Sequence, residues 1–235
     1  MKAWTSWSTT RTRRLPYMRS FNRHWLKPVS FWLLAAPGLW LFWQWGLLLT
    51  GGSNALGFNP IETTHRFLGD TALYVLLISL AVSPVRALTP WKSVLKIRRR
   101  IGLAAFWYAF LHVSAYLGLD LLIAAGLNPV GALAGLWEDV AERIYITLGM
   151  LAFIGLIPLA ITSFNSMIRR LGARHWQRLH WLVYPIAALA VLHHGHMVRG
   201  HQLAPWINGG ILALLLAFRL YRAYQSRSRA IKSAA

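Results

Sequence analysis

The chain contains 235 residues, of which 56% are hydrophobic and 13% charged, and its formal net charge is +19. Several apolar runs of about twenty residues are long enough to cross a hydrocarbon core of about 30 Å, so a soluble globular protein is excluded. Cysteine is absent, which excludes disulfide bonds, thiolate metal sites, iron–sulfur clusters and covalently attached c-type haem.

Six apolar segments are predicted to span the membrane. In chain order they cover residues 29–50, 67–88, 101–125, 144–165, 179–198 and 203–221. The predicted fold class is therefore an all-α integral membrane protein, a six-helix transmembrane bundle formed by residues 29–221. Two basic tails, residues 1–28 and 222–235, are predicted to flank the bundle on its cytoplasmic side.

The basic residues are distributed unevenly along the chain. Of the 25 Lys and Arg residues, 22 lie before the first span, in the segments 86–100 and 166–178, or from Arg219 onwards. By the positive-inside rule these segments face the cytoplasm, which places both termini there. The net charge then reflects topology and attraction to an anionic lipid bilayer, and nucleic acid is not a predicted partner. The opposite side carries Arg66, Arg143 and Arg199 together with every acidic residue, namely Glu62, Asp70, Asp120, Glu138, Asp139 and Glu142.

The first three spans contain one deeply placed ionisable residue. Span one is rich in Trp and Leu and has no ionisable group. His65 lies at the outer boundary of span two, where a solvated or capping role is favoured over metal binding. His112 in span three follows Arg100 by twelve positions, hence lies near the middle of the membrane. An ionisable residue at that depth indicates function, since leaving it unsatisfied in lipid is costly; the alternative is a satisfied interhelical hydrogen bond.

The second half of the chain adds a short helix and two further histidines. Residues 132–144 are predicted to form an interfacial helix whose acids face the outer side. His180 and His193 lie thirteen positions apart in span five, about 20 Å along a straight helix but about 220° apart around it. Pro185 lies between them, and a proline within a helix kinks the axis, which changes the direction of the later histidine.

Depth within the membrane pairs two of these histidines. His112 follows the basic residue Arg100 by twelve positions, and His193 follows Arg178 by fifteen. The two imidazoles are therefore expected at similar depth, where they can meet across one iron. Two imidazole ligands leave no open position on a haem, which favours electron transfer over oxygen chemistry. The alternative without a cofactor is that both are interfacial histidines in a helical bundle.

His180 is predicted to lie near the cytoplasmic face, because it follows Arg178 by two positions. Span three offers residues 98–102 at that level and no histidine, so a second haem there needs a water or another residue as its second ligand. Three well-placed histidines are present where two bis-histidine haems need four. Close approach of a porphyrin to the backbone is predicted at three glycines, Gly102, Gly118 and Gly195.

The remaining histidines are expected to play lesser roles. Three cluster at the outer end, where they are solvated or supply a ligand or docking contact, and two lie in basic cytoplasmic segments. In that order they are His194, His196, His201, His24 and His175. No buried carboxylate pair, serine–histidine nucleophile, phosphate loop or nicotinamide motif is present, so no catalytic site of its own is predicted. A proton-coupled transporter would need acids at mid-membrane depth, and the acids lie near the outer ends.

Five segments, taken in order and at this spacing, resemble a known family. They are FLGDTAL (67–73), RRRIGLAAFWYAFLHVSAY (98–116), RIYITLG (143–149), TSFNSMIRRLG (162–172) and WQRLHWLVY (176–184). The sequence is similar to the MsrQ (YedZ) family, the haem-binding membrane subunit of the periplasmic methionine sulfoxide reductase system. That family is grouped with the transmembrane domains of ferric reductases and NADPH oxidases.

The resemblance implies one or two b-type haems, held by the matching residues His112, His180 and His193 as iron ligands. It implies a multi-pass protein of the bacterial inner membrane that passes electrons to a periplasmic molybdopterin-dependent methionine sulfoxide reductase. The implied donor is the quinone pool or a cytosolic flavin reductase, and FMN is associated with the family. Arg98 stands where the oxidase relatives have a fourth histidine, which leaves the second ligand of an inner haem open.

Two other functions remain open from the sequence. One is a cytochrome b subunit that serves a different redox partner. The other is a non-redox six-helix transporter or assembly factor.

Overall fold

The computed structural model describes residues 25–89, 92–197 and 202–234, and their regular structure is helical. Parts of the predicted tails, together with His24, Arg199 and His201, lie outside these ranges. In chain order the elements are α1 (Leu26–Leu49), α2 (Pro60–Leu88), a 3₁₀ turn (Lys92–Val94), α3 (Leu95–Ala115) running on into a π-helix (Tyr116–Leu122), α4 (Pro129–Glu142), α5 (Ile144–Ile161), α6 (Asn165–His180), α7 (Val183–Met197) and α8 (Ala204–Ala234).

Five helices in the described ranges are long and apolar enough to cross a membrane. They are α1, α2, α3 with its π-helical extension, α5, and the first 23 residues of α8. The predicted span 179–198 corresponds to α7, whose 15 residues measure about 22 Å at 1.5 Å per residue. The all-helical membrane class is therefore confirmed, while the count of six spans and the cytoplasmic termini remain predictions.

His180 and His193 lie on separate helices, which differs from the prediction of one kinked helix. His180 is the last residue of α6, and a turn at residues 181–182 leads into α7. In this turn the Tyr184 N–H donates to the Trp181 carbonyl at 3.1 Å. Pro185 falls in the first turn of α7, where a missing N–H leaves no helical hydrogen bond unmade. The break between the two helices therefore lies before the proline rather than at it.

The predicted basic segment 166–178 forms most of α6. Gly172 interrupts this helix with φ 73° and ψ 153°, a conformation that glycine adopts without steric cost. The Trp176 indole N–H donates to the carbonyl of Thr162 at 2.9 Å. This bond ties α6 to the end of α5, and it positions His180 at the same end of the bundle. The predicted helix at 132–144 is confirmed as α4.

The buried core lies between α2, α3, α5 and α7. Leu80 on α2 and Ala105 on α3 are each 1% exposed, and Ala187 on α7 is fully buried. On α5, Gly155 allows Ile186 of α7 to approach its backbone. Lipid provides no hydrophobic driving force for the association of membrane helices, so their association depends on close packing, which small residues permit. In this core α3 packs against α2, and α7 packs against α5. The facing surfaces of these helix pairs carry histidines.

Helix α1 lies at the edge of the bundle and is held there by Tyr108 of α3. The Tyr108 hydroxyl donates to the Leu34 carbonyl at 2.6 Å and accepts from the Gly38 N–H at 3.0 Å. It thereby replaces one hydrogen bond of the α1 ladder. Most of the large apolar side chains of α1 are exposed, Trp32 and Trp43 among them, as expected for a lipid-facing helix.

Membrane topology can be tested with reporter fusions. Fusions after Asn54 and after Glu138 are expected to report the outer side, and a fusion after Ser93 the cytoplasmic side, because 22 of the 25 basic residues fall on the latter. Paired alkaline phosphatase and green fluorescent protein reporters measure this. The reverse pattern at all three sites would show that the topology is wrong.

Candidate functional site

A cavity of about 850 Å³ opens between α2, α3, α5 and α7. Its volume falls within the range of about 300–1,000 Å³ that is usual for small-molecule and cofactor sites. One part of the wall is apolar, with Leu73, Leu76 and Phe153, and the other carries ionisable side chains. Two of the predicted ligands, His112 and His193, line it. The cavity therefore combines an apolar interior with a few convergent nitrogen donors.

His112 and His193 face each other within this cavity. Their ring centroids are 6.3 Å apart and the ring planes are inclined at 73°. Imidazole nitrogens bind metals at about 2.0–2.1 Å, so two imidazoles on opposite sides of one ion have ring centroids about 6 Å apart. The observed separation fits that arrangement. The structure thus brings together His112 and His193, the two residues that are paired by their predicted depth in the membrane.

The Nδ1 atom of each ring is engaged by a backbone carbonyl of another helix. His112 Nδ1 lies 3.0 Å from the His65 oxygen on α2, and His193 Nδ1 lies 2.6 Å from the Tyr145 oxygen on α5. Because a carbonyl only accepts, Nδ1 carries the hydrogen and Nε2 keeps the lone pair. A second hydrogen bond of this kind fixes the tautomer of metal-ligating histidines. Both side chains are therefore prepared to bind a metal through Nε2.

His65 lies in the cavity wall, which differs from the solvated or capping role that the sequence favours. Its side chain is 15% exposed, and its ring is 6.0 Å from that of His112. The Nε2 atom lies 2.8 Å from Asp120 Oδ2, an ion-pair distance that is off the line of a hydrogen bond. Asp120 belongs to the π-helix Tyr116–Leu122, and such π segments often occur at functional sites. No pattern in the sequence predicts that segment.

The rim of the cavity on the predicted outer side consists of paired charged and polar groups. His194 Nδ1 lies 3.4 Å from Asp70 Oδ1, and the His194 side chain is only 13% exposed, so it is not solvated as predicted. Arg143 pairs with Asp139 at 3.1 Å, and this carboxylate raises the pKa of the guanidinium. Tyr116 donates a hydrogen bond to the same carboxylate. The rim is thus polar, while the floor of the cavity is apolar.

His180 lies apart from this cavity, at the end of α6. Its ring stacks on Trp176 with a centroid separation of 4.0 Å, and its Nδ1 lies 3.1 Å from the carbonyl of that residue. The α3 residue whose charge acts on it is Arg98, fourteen positions before His112. At 1.5 Å per residue this corresponds to about 21 Å along α3. His180 therefore belongs to a second level of the bundle, on the predicted cytoplasmic side, which we call the inner level.

Basic side chains accompany His180 at this inner level. Arg219 of α8 donates to the Leu80 carbonyl at 2.7 Å and to the Tyr184 hydroxyl, and its guanidinium lies 4.8 Å from the centre of the Tyr184 ring. Arg98 is close enough to Arg219 for their charges to interact. In the described part of the chain, neither Arg98 nor Arg219 is seen to interact with an acidic residue. This inner level therefore carries net positive charge.

Few atoms lie near Gly102, Gly118 and Gly195, the three glycines at which close approach of a porphyrin is predicted. A Cβ atom would meet no atom within 4 Å at Gly102 or Gly118, and only Pro205 Cβ at 3.9 Å at Gly195. The close contacts with the predicted ligands His112 and His193 occur instead at Gly69 and Gly149. Both lie in the segments FLGDTAL and RIYITLG, but only their position opposite a histidine in space gives them a role.

The helical bundle with paired histidines in its core corresponds to a known class of membrane protein. Residues 68–191, rather more than half of the chain, match the family described as ferric reductase like transmembrane component. The chain is a member of that class. The match begins at Leu68, the ninth residue of α2, and ends within α7. It includes His112 and His180.

Similar proteins define the family more narrowly. A protein of Rhodospirillum rubrum is 46% identical over 80% of this chain and 85% of its own length, and one of Herminiimonas arsenicoxydans is 45% identical over 75% and 78%. A protein of Xanthomonas euvesicatoria is 43% identical over 82% and 84%. Each is named protein-methionine-sulfoxide reductase heme-binding subunit MsrQ. The chain belongs to the MsrQ family, which confirms the resemblance stated from its motifs.

Proposed function

We propose that this chain is a membrane cytochrome b that relays electrons across the bacterial inner membrane to a periplasmic molybdenum-containing methionine sulfoxide reductase. In this role it supports the repair of oxidised periplasmic proteins and has no catalytic site for the final substrate. The similar proteins are named as heme-binding subunits of a methionine sulfoxide reductase, which supports both the cofactor and the partner.

The observation that carries the proposal is the pair formed by His112 and His193. Their rings are 6.3 Å apart, and both Nδ1 atoms are held by backbone carbonyls of neighbouring helices. Each residue would present Nε2 to one side of a b-type haem in the cavity. Bound haem would supply one-electron chemistry, since its iron changes between two oxidation states.

The residues around the pair have separate tasks in this function. The carbonyls of His65 and Tyr145 orient the ligands. The apolar side chains of the cavity, Phe153 among them, exclude water from the iron. By excluding water, these side chains would limit rearrangement around a bound haem, which would favour fast electron transfer. The polar rim marks the side from which an electron would leave towards the periplasmic partner.

His180 is proposed to act at electron uptake on the cytoplasmic side. Arg98 is near enough for its charge to act on His180, and Arg219 is near enough to act on Arg98. A positive surface attracts anionic groups, such as the propionates of a second haem, the phosphate of FMN, or an acidic donor protein. The aromatic rings of Phe106 and Phe153, stacked at 6.1 Å, lie at intermediate depth between this level and the His112–His193 pair.

A visible spectrum of the purified protein tests the proposal. We expect a reduced α-band typical of a low-spin b-type haem, and one or two haems per polypeptide by pyridine haemochrome assay. A cytochrome b that serves a different redox partner would give the same spectrum but would not reduce the methionine sulfoxide reductase. Protein purified from haem-sufficient cells without any haem band would exclude the electron-transfer function and favour the transporter.

A further inference from the structure

The two proposed haem ligands reach their neighbouring helices in the same way. Each donates from Nδ1 to a backbone carbonyl, and the residue four positions after that carbonyl is a glycine. We call each set of ligand, carbonyl residue and glycine a trio. The α2 trio is His112, His65 and Gly69, and the α5 trio is His193, Tyr145 and Gly149.

Helix geometry explains why a glycine is needed at this spacing. In an α-helix the carbonyl of residue i points along the axis towards residue i+4, with which it forms its helical hydrogen bond. The Cα–Cβ bond of every residue tilts towards the N-terminus, so the side chain of residue i+4 covers that carbonyl from the outside. A bulky imidazole ring from another helix therefore approaches that carbonyl most readily where residue i+4 has no side chain.

The distances in the cavity show how little space is left. A Cβ atom at Gly149 would lie 2.8 Å from both Nδ1 and Cε1 of His193. At Gly69 it would lie 3.2 Å from Cε1 and 3.4 Å from Nδ1 of His112. Non-bonded carbon atoms pack best at about 3.5–4.0 Å. A methyl group at Gly149 would therefore displace the His193 imidazole from its carbonyl, whereas at Gly69 the His112 ring would have to shift by a few tenths of an ångström.

We propose that Gly69 and Gly149 are positioning residues that hold the two haem ligands on the carbonyls of His65 and Tyr145. The inference rests on the proposed function, because it requires His112 and His193 to bind the iron. A hydrogen bond from Nδ1 to a carbonyl makes the imidazole a stronger donor to the metal. Stronger donation favours the ferric state, so both glycines keep the reduction potential of this haem low.

The Gly149→Ala variant tests the proposal, and the same helix offers a matched control. A Cβ atom at Gly155 would lie 2.8 Å from Ile186 Cγ1. Gly155→Ala thus introduces an equally close contact between the same two helices, α5 and α7, but against an apolar side chain instead of a ligand. We expect the Gly149→Ala site to hold haem roughly 10- to 100-fold more weakly, as is typical for the loss of a partner that orients a metal ligand. Transfer of haem to excess apomyoglobin measures this.

The reduction potential separates positioning of the ligand from helix packing. The Gly149→Ala variant is expected to retain some haem. For this haem we expect a higher midpoint potential and an altered low-spin electron paramagnetic resonance signal. The milder Gly69→Ala variant should shift both in the same direction by less. Gly155→Ala should match the unsubstituted protein in both. If Gly149→Ala is not monodisperse, Gly69→Ala decides by the same two measurements.

Two results would overturn the inference. One is wild-type haem retention and potential in both Gly149→Ala and Gly69→Ala. The other is an equal change in Gly155→Ala, which would assign the effect to helix packing. Failure of the proposed function looks different, because the unsubstituted protein would then lack haem, or His193→Ala would retain it unchanged. Loss of haem in His193→Ala with no effect of either glycine variant rejects this inference alone.

Discussion

Replacing either His112 or His193 by alanine is expected to remove the same haem. Their ring centroids are 6.3 Å apart, and we propose that both bind the same iron. Loss of a ligand should cost more than the roughly 10- to 100-fold in metal affinity that loss of an orienting partner costs. The pyridine haemochrome assay and the reduced α-band measure the loss. Each single variant and the double variant should lack the same spectral component.

His196→Ala is the matched control for this experiment. His196 lies on α7 with His193, but its side chain is exposed and its Nδ1 lies 2.8 Å from the Leu192 carbonyl of its own helix. This variant should keep full haem content. Unchanged haem content and spectrum in His112→Ala or in His193→Ala would refute the pairing. Two different spectral components lost in the two variants would show that the residues ligate different haems.

His180→Ala is expected to slow reduction of the protein by a cytosolic donor while the His112–His193 haem stays bound. The reason is location, since His180 lies within range of the charge of Arg98, and Arg98 is about 21 Å along α3 from His112. We expect a loss of roughly tenfold or more in the reduction rate, which corresponds to about 1.4 kcal/mol in the barrier. Stopped-flow spectroscopy in proteoliposomes measures reduction by NADH with a flavin reductase, or by a quinol.

The second half-reaction provides the internal control. After chemical reduction with dithionite, the His180→Ala protein should still pass electrons to the methionine sulfoxide reductase at the unsubstituted rate. His175→Ala, an exposed position on the same helix α6, should leave both half-reactions unchanged. Equal loss of both half-reactions in His180→Ala, or loss of neither, would contradict a role in electron uptake. Haem content before and after the substitution shows whether His180 also holds a second haem.

Several features of the site follow from counting along the chain. A helix rises by a constant amount per residue, and basic residues mark the cytoplasmic boundary. The depths of His112 and His193 could therefore be compared from their distances to Arg100 and Arg178. The family could be recognised as well, because its motifs lie in the same order and spacing. The same counting separates His180 from the pair and places Arg98 near it.

Other features depend on how the helices pack. Residues 181–192, which include the turn, are apolar throughout, so hydropathy cannot reveal the two-residue turn that separates α6 from α7. His65 is polar and lies at a helix boundary, and only the π-helical segment of α3 brings Asp120 against it. Hydropathy and helical periodicity do not register a π segment, because it changes the hydrogen-bond register without changing composition.

The glycines show the difference most directly. Local sequence places Gly69 four residues after His65 and Gly149 four residues after Tyr145, and it already contains the reason that such a position exposes a carbonyl. It contains nothing about which helix faces that carbonyl. Packing of α3 against α2 and of α7 against α5 supplies a histidine at each one. Residue type and depth are properties of single helices, whereas a ligand's hydrogen-bond partner depends on two helices that are distant in the chain.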